Sequence, residues 1–338
     1  MPTLYSIQYL RALAALAVVV FHAGERSGLH FTIGAAGVDV FFVVSGFIMM
    51  AISDSRPTAP ASFLRNRFLR IAPSYWAATV VMLLGAAIGL FPNLQLTLVH
   101  TLASFLFIPA QSPSSGEMWP VLVQGWTLNY EIFFYLVFAA ALATRRGLRL
   151  PVLAGVFGLL TACGLLLHPE SPLLAFYTAP VLLEFVAGAA IAKLWARGAL
   201  PPAAVGAVLV ILAVGGFAAI QILQMEFGPW TCGPLAIALV IGALSIETRG
   251  RLPKLKALAY LGDSSYSIYL WHTFAISVAL KAAPFLPPSL FLGVCVVVGT
   301  LAGIIAYEGF ERPLQFLLRG KRSSLWRLPL RKPAPDRS

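Results

Sequence analysis

The chain has 338 residues, 59% of them hydrophobic and only 11% charged, with a mean hydropathy of +0.84. Soluble domains carry roughly a quarter of charged residues, so this composition leaves too few polar groups to clothe a soluble body and excludes a secreted enzyme, a cytosolic enzyme and a disordered chain. The net charge is +11, from 24 Lys and Arg against 13 Asp and Glu; in so apolar a chain this points first to basic cytoplasmic loops and only second to a nucleic-acid partner, which is not expected.

Apolar runs predict spans near 6–23, 36–53, 73–91, 126–144, 150–168, 174–194, 203–222, 231–247, 259–281 and 289–308, each close to the roughly 20 residues that cross a hydrocarbon core. The first run holds Arg11 and exits through Phe21-His22-Ala23-Gly24, without the small-x-small cleavage pattern of a signal peptide, so it reads as a mature helix. A shorter run, 95–109, contains His100 and ends at Pro109. Basic residues gather after the second span (Arg65, Arg67, Arg70), the fourth (Arg145, Arg146, Arg149), the sixth (Lys193, Arg197) and the eighth (Arg249, Arg251, Lys254, Lys256). They share one side only if 95–109 does not cross the membrane. The expected fold is therefore an all-α polytopic membrane protein of about ten transmembrane helices plus one re-entrant or interfacial segment, with both termini cytoplasmic. Residues 319–338 read as a basic, disordered tail near anionic lipid. Cys163, Cys232 and Cys295 are an odd set without metal-ligand spacing, so neither a disulfide framework nor a metal site is expected.

Ionisable groups within spans are costly in hydrocarbon and usually face a cavity or a partner. Arg11 and His22 are about 16 Å apart along the first helix and about 20° from a common face, which suggests a conduit lined by a cation at the cytoplasmic end and an imidazole at the outer end. The plainer alternatives are a snorkelling arginine and an interfacial histidine. Asp39, one turn into the second span, is expected near the depth of His22, where a carboxylate would fix the imidazole tautomer; a water-satisfied helix-terminal acid is the alternative. Gly34, Gly37 and Gly46 permit close helix contact. Arg67 and Arg70, three residues apart, would lie on one side of an interfacial helix and could grip phosphate oxygens. Ordinary positive-inside loop residues would look the same. Thr127, Glu131 and Tyr135 form a polar stripe on the fourth span, and Ser265, Tyr269 and His272 form another on the ninth. Either Glu131 or Glu184 could pair with Arg11, Glu184 being the expected partner. Polar residues thus run from a basic mouth toward an outer His/Asp pair, an arrangement that suits transport and chemistry equally.

The ordered set Arg11-x10-His22, Gly37-Val-Asp39-Val-Phe-Phe-Val-Val-Ser45-Gly46-Phe47, Arg67-x-x-Arg70, Trp126-Thr-Leu-Asn-Tyr-Glu131, Ser267-Ile-Tyr269-Leu-Trp-His272 and Tyr307-x-x-x-Glu311-Arg312-Pro313 resembles the acyltransferase-3 family of bacterial inner-membrane O-acyltransferases. The opening Ser6-Ile-Gln-Tyr-Leu-Arg11 is similar to the branch that acetylates exopolysaccharides of the succinoglycan type. The resemblance implies that residues 1–318 form the acyltransferase domain of a multi-pass inner-membrane protein. It implies acetyl-CoA as acyl donor, with its phosphates at Arg67 and Arg70 and its pantetheine arm passing Arg11, and no metal. His22 would be the catalytic residue, as base or transient acyl carrier, with Asp39 orienting it and Ser45, Glu131, Tyr269 and His272 lining the cavity. The implied partners are a saccharide acceptor, free or lipid-linked, membrane lipid and polysaccharide assembly machinery. A transporter or flippase of a lipid-linked saccharide is the competing reading.

Overall fold

The computed structural model describes residues 4–319 except Pro284; the expected tail from 320 onward lies outside the described residues. Among those described the chain is helical throughout, with α1 (Tyr5–Ser27), α2 (Gly37–Ser55), α3 (Pro60–Ala87), α4 (Leu98–Phe105), α5 (Gly125–Leu142), α6 (Arg149–Leu167), α7 (Pro172–Tyr177), α8 (Leu182–Arg197), α9 (Ala203–Ile222), α10 (Pro229–Thr248), α11 (Lys256–Ala282), α12 (Pro288–Ala306) and α13 (Arg312–Arg319). A 3₁₀ turn (Thr32–Ala36) leads into α2, and a π-helical turn (Tyr307–Glu311) joins α12 to α13. Nine of these segments are long and apolar enough to cross a membrane, α7 and α8 counting as one. α11 stands outside that set because Asp263 and a run of serines and tyrosines interrupt its apolar surface, yet its 27 residues make it about 40 Å long.

Two expected boundaries differ from the structure. The segment around Arg67 and Arg70 is not a separate interfacial helix: α3 runs unbroken for 28 residues through Pro73, about 42 Å of rise, longer than the roughly 30 Å of a hydrocarbon core. The expected span 174–194 is broken at Thr178–Val181, around Pro180. A break at membrane depth is tolerated where protein covers the freed backbone groups, and here Phe176, Val181 and Leu182 are all buried.

α4 has eight residues, about 12 Å, too short to cross. Its Leu98, Val99 and Leu102 are exposed, as is Leu106 just after it, while His100 and Ser104 are buried. The segment after it bends back inward. The Trp119 carbonyl meets His100 Nε2 at 2.8 Å, Val121 N–H donates to Ser104 Oγ at 2.9 Å, and Gln124 Nε2 donates to Thr273 Oγ1 at 2.7 Å. Thr273 lies nine residues before the end of α11, so α5 begins well inside the bundle, as the re-entrant reading requires.

Ties between helix ends sort the loops onto two faces. On one, Tyr5 and Ser6 N–H groups donate to Glu247 at 2.7 and 2.9 Å, while Asp54 pairs with Lys193 at 2.5 Å and lies 3.7 Å from Arg149. On the other, Lys281 Nζ reaches the Leu90 carbonyl at 2.9 Å and Gln221 Nε2 the His30 carbonyl at 3.2 Å. The basic clusters at 145–149, 193–197 and 249–256 belong to the first face, as the charge pattern predicts.

α11 packs between α1 and α12, and α2 against α8. The α2–α8 contact depends on missing side chains. A Cβ on Gly46 would stand 2.0 Å from the Phe185 carbonyl oxygen, and one on Gly188 2.0 Å from that of Val43, so only glycine permits this approach. Gly37 is seated in the same way on α1, against the Ala14 carbonyl. These contacts fix the angular setting of α1 and α2, which carry Arg11, His22, Asp39 and Ser45.

Candidate active site

Arg11 on α1, Ser45 on α2, Arg67 and Arg70 on α3, Glu131 on α5 and Tyr269 on α11 line one cavity of about 110 Å³. Five helices thus contribute to one polar chamber, whose remaining wall is apolar and includes Val38, Phe41, Phe42 and Ile48. Six of the nine sequence-derived residues meet here. Asp39, His22 and His272 are not part of this lining.

The cavity's charged groups are already engaged with one another. Ser45 Oγ donates to Glu131 Oε1 at 3.0 Å, and the Tyr135 hydroxyl donates to the same oxygen and interacts with Arg67. Arg70 is ion-paired to Glu311, which also accepts from Ser267 Oγ and, at 2.8 Å, from Gln315 Nε2. The Arg70 guanidinium lies 5.6 Å from the centre of the Tyr266 ring. Arg11 donates to Gln8 at 3.2 Å and feels Asp263, Glu311 and Glu131 electrostatically. Pairing of this kind is what buried guanidinium groups need, and each guanidinium carries five N–H donors in a planar fork.

Tyr269 closes the cavity on the side of the histidines. Its hydroxyl donates to the Gln124 carbonyl at 3.1 Å and shares a 3.0 Å hydrogen bond with Thr127, and its ring stands 6.0 Å from Phe41. Beyond it, 6.3 Å between ring centres, is His272, and 5.2 Å further is His22. The polar path therefore leads from the arginines past Tyr269 to a pair of imidazoles. His22 is half-buried near the end of α1, whereas His272 has no exposed surface. The two imidazoles, from α1 and α11, stand side by side.

Two expected pairings are corrected. Asp39, expected beside the His22 imidazole, instead meets Glu184 in the first turn of α8. Glu184, expected to pair with Arg11, is therefore committed elsewhere, and its Oε1 lies where a Cβ on Gly233 would be 3.0 Å away. Val38 and Phe41 face the cavity, while Asp39, about 100° and 160° from them around the helix, is directed toward Glu184 on α8 and Cys232 on α10.

Sequence reasoning missed Glu311 as the partner of Arg70 and Gln124 as the brace of Tyr269. The Tyr307–Glu311 motif was visible, but its π-helical turn, which swings Glu311 to 1% exposure, leaves no periodic signal. Such turns recur at functional sites. Gln124 precedes α5 in a stretch without helical periodicity. Among the described residues no group of His, Cys, Asp and Glu side chains could hold a metal ion.

A multi-pass helical membrane protein with a cationic cavity walled by Tyr269, behind which two imidazoles stand, has the build of a membrane-embedded transferase. Residues 4–308 match the model of the Acyltransferase domain, Acyl_transf_3, and the chain belongs to this family: it is an acyltransferase acting on groups other than aminoacyl groups. It is 54% identical over 307 residues to the exopolysaccharide production protein ExoZ of Rhizobium meliloti, covering 90% of this chain and 96% of that one. It is 25% identical to the peptidoglycan O-acetyltransferase OatA of Listeria monocytogenes over 92% of this chain, which spans 55% of that protein's length. The acyltransferase MdmB of Streptomyces mycarofaciens is 27% identical over 82% of this chain and 79% of its own. No solved structure matches the chain.

Proposed function

We propose that this acyltransferase moves an acetyl group from acetyl-CoA, approaching from the basic face, to a hydroxyl of an extracytoplasmic or lipid-linked saccharide, with exopolysaccharide as the polymer modified. The observation that carries the reading is the convergence of Arg11, Arg67 and Arg70 on one cavity whose far wall leads, through Tyr269, to His22 and His272. ExoZ, similar over nearly its whole length, is named for exopolysaccharide production, and OatA for O-acetylation. Both support a saccharide acceptor.

The residues suit an anionic thioester. Guanidinium groups of Arg67 and Arg70 would take phosphate oxygens, their planar forks giving two donors each. The arm would run along Val38, Phe41 and Ile48 past Arg11. His22, about 16 Å above Arg11 along α1, would accept the proton of the attacking hydroxyl. The hydroxyl oxygen would bond to the acyl carbon as the carbon–sulfur bond breaks, and the proton would pass from the imidazole to the departing thiolate. Asp39 would act at one remove, through the α2–α8 contact. The chain would sit in the bacterial inner membrane with both termini cytoplasmic, next to polysaccharide assembly machinery and anionic lipid.

Release of free CoA thiol by the purified protein in detergent, with acetyl-CoA and an acceptor saccharide, tests this. Release that depends on acceptor supports transfer. Saccharide movement across reconstituted vesicles without thiol release would instead identify a transporter.

A further inference from the structure

His272 is buried deeper than any ligand-contacting role for it would require. Its ring has 0% exposure, and α12 closes over it: a Cβ on Gly299 would stand 3.2 Å from the His272 Cβ. Its Nδ1 is 3.0 Å from the carbonyl oxygen of Ile268, one turn back on α11. A carbonyl only accepts, so Nδ1 must carry the proton, and the neutral ring then holds a bare lone pair on Nε2. Nε2 is buried and has no hydrogen-bond partner in the protein. Native interiors seldom leave such an acceptor unfilled.

The side chain beside it that can donate is His22. The two ring centres are 5.2 Å apart, a separation that brings facing imidazole nitrogens to about 3 Å, a hydrogen-bond length. The terminal torsion of His22 is soft, as it is for imidazoles generally, so the direction of its N–H can change at little cost. Asp39, the group that would otherwise orient His22, is held by Glu184.

We propose that His272 is the positioning residue of His22: Ile268 fixes the tautomer of His272, and its Nε2 accepts the N–H of His22, so that the other His22 nitrogen is left unprotonated and turned toward the acceptor hydroxyl. The dyad is a carbonyl–imidazole–imidazole relay in place of the carboxylate–imidazole pair common among hydrolases. His272 makes no contact with substrate and gains no proton in the reaction. Its work is to hold one lone pair where His22 needs a partner. The inference rests on the assignment of His22 as the base in the proposed function.

The test replaces His272 by Gln, Asn and Phe in the full chain, purified in detergent, and measures kcat and KM for acetyl-CoA by thiol release, with His22→Ala as reference. A glutamine carbonyl oxygen can occupy the position of Nε2, whereas the shorter asparagine reaches only that of Nδ1 and phenylalanine fills the space without an acceptor. The expected result is a fall in kcat of at least tenfold for His272→Phe and His272→Asn, with KM for acetyl-CoA within twofold of the parent, and partial recovery of kcat in His272→Gln. Equal kcat for Gln and Asn, or parental kcat in His272→Phe, would overturn the proposal. Should His272→Phe fail to accumulate, the comparison of the two polar variants decides alone. Activity surviving in His22→Ala would remove the assignment of His22 itself, whereas an inactive His22→Ala beside a fully active His272→Phe would remove only the relay.

Discussion

Removing the Glu311 carboxylate should be among the most damaging single changes in the bundle. Glu311 is 1% exposed, Arg70's side chain is 10% exposed, and the two form an ion pair in which Glu311 also receives the Ser267 hydroxyl and the Gln315 amide. Glu311→Ala strands a buried guanidinium and a buried hydroxyl together. Breaking one half of a buried pair costs about 3–5 kcal/mol, and the Tyr266 ring at 5.6 Å is present in parent and variant alike, so it does not change that difference. The expectation is a loss of about 3–5 kcal/mol. Removing both charges, as in Arg70→Met with Glu311→Leu, should recover most of the stability, because no uncompensated charge remains. It should not recover donor binding, since a proposed phosphate contact has gone. The assay is equilibrium unfolding of the purified protein in mixed micelles, with acetyl-CoA affinity measured alongside. Glu311→Ala unfolding at the parent midpoint, or a double variant as unstable as the sum of the singles, would refute the reasoning.

Three further outcomes are expected. Arg67→Ala should raise the dissociation constant for acetyl-CoA more than it changes acceptor use, and Arg67→Lys should restore binding only in part, for want of the planar fork; titration of the purified variants checks this. Single-cysteine variants at positions 115 and 147 should label from opposite sides of the membrane, 147 from the cytoplasm, and labelling of both from the same side would refute the non-crossing placement of α4. Asp39→Asn should keep most of the parent's transfer activity, because an amide in that place can donate to Glu184, and thiol release equal to that of His22→Ala would return Asp39 to the neighbourhood of the imidazole.

The spans were legible because hydrocarbon imposes length and composition on each crossing helix. The basic loops likewise fixed which connections share a face, and α4 with them. The cavity was largely legible too: Thr127, Glu131 and Tyr135 recur at a helical period, and so do Ser265 and Tyr269. Periodicity assigns a residue to a stripe on its own helix but carries no information on which neighbour that stripe faces. Asp39 therefore turned out to meet Glu184 across the glycine contact of α2 with α8, on a different side from Val38 and Phe41. Relative depth between helices is equally silent in sequence. His22 and His272 meet because Gly262 seats α11 against the Gln8 carbonyl of α1, and no residue pattern within one helix records that register. The break before α8 and the π-helical turn at Glu311 interrupt the helical period, which is why each partner they supply escaped a periodic reading.

The central claim is that His22 performs the proton transfer in acetyl transfer to a saccharide. It is tested most directly by O-acetyl content of the surface polysaccharide in a deletion strain complemented with His22→Ala, with membrane protein level and acetyl-CoA binding measured on the same variant. The account predicts that O-acetylation disappears while the variant accumulates at the parent level and still binds acetyl-CoA. Substantial O-acetylation in that strain would contradict it.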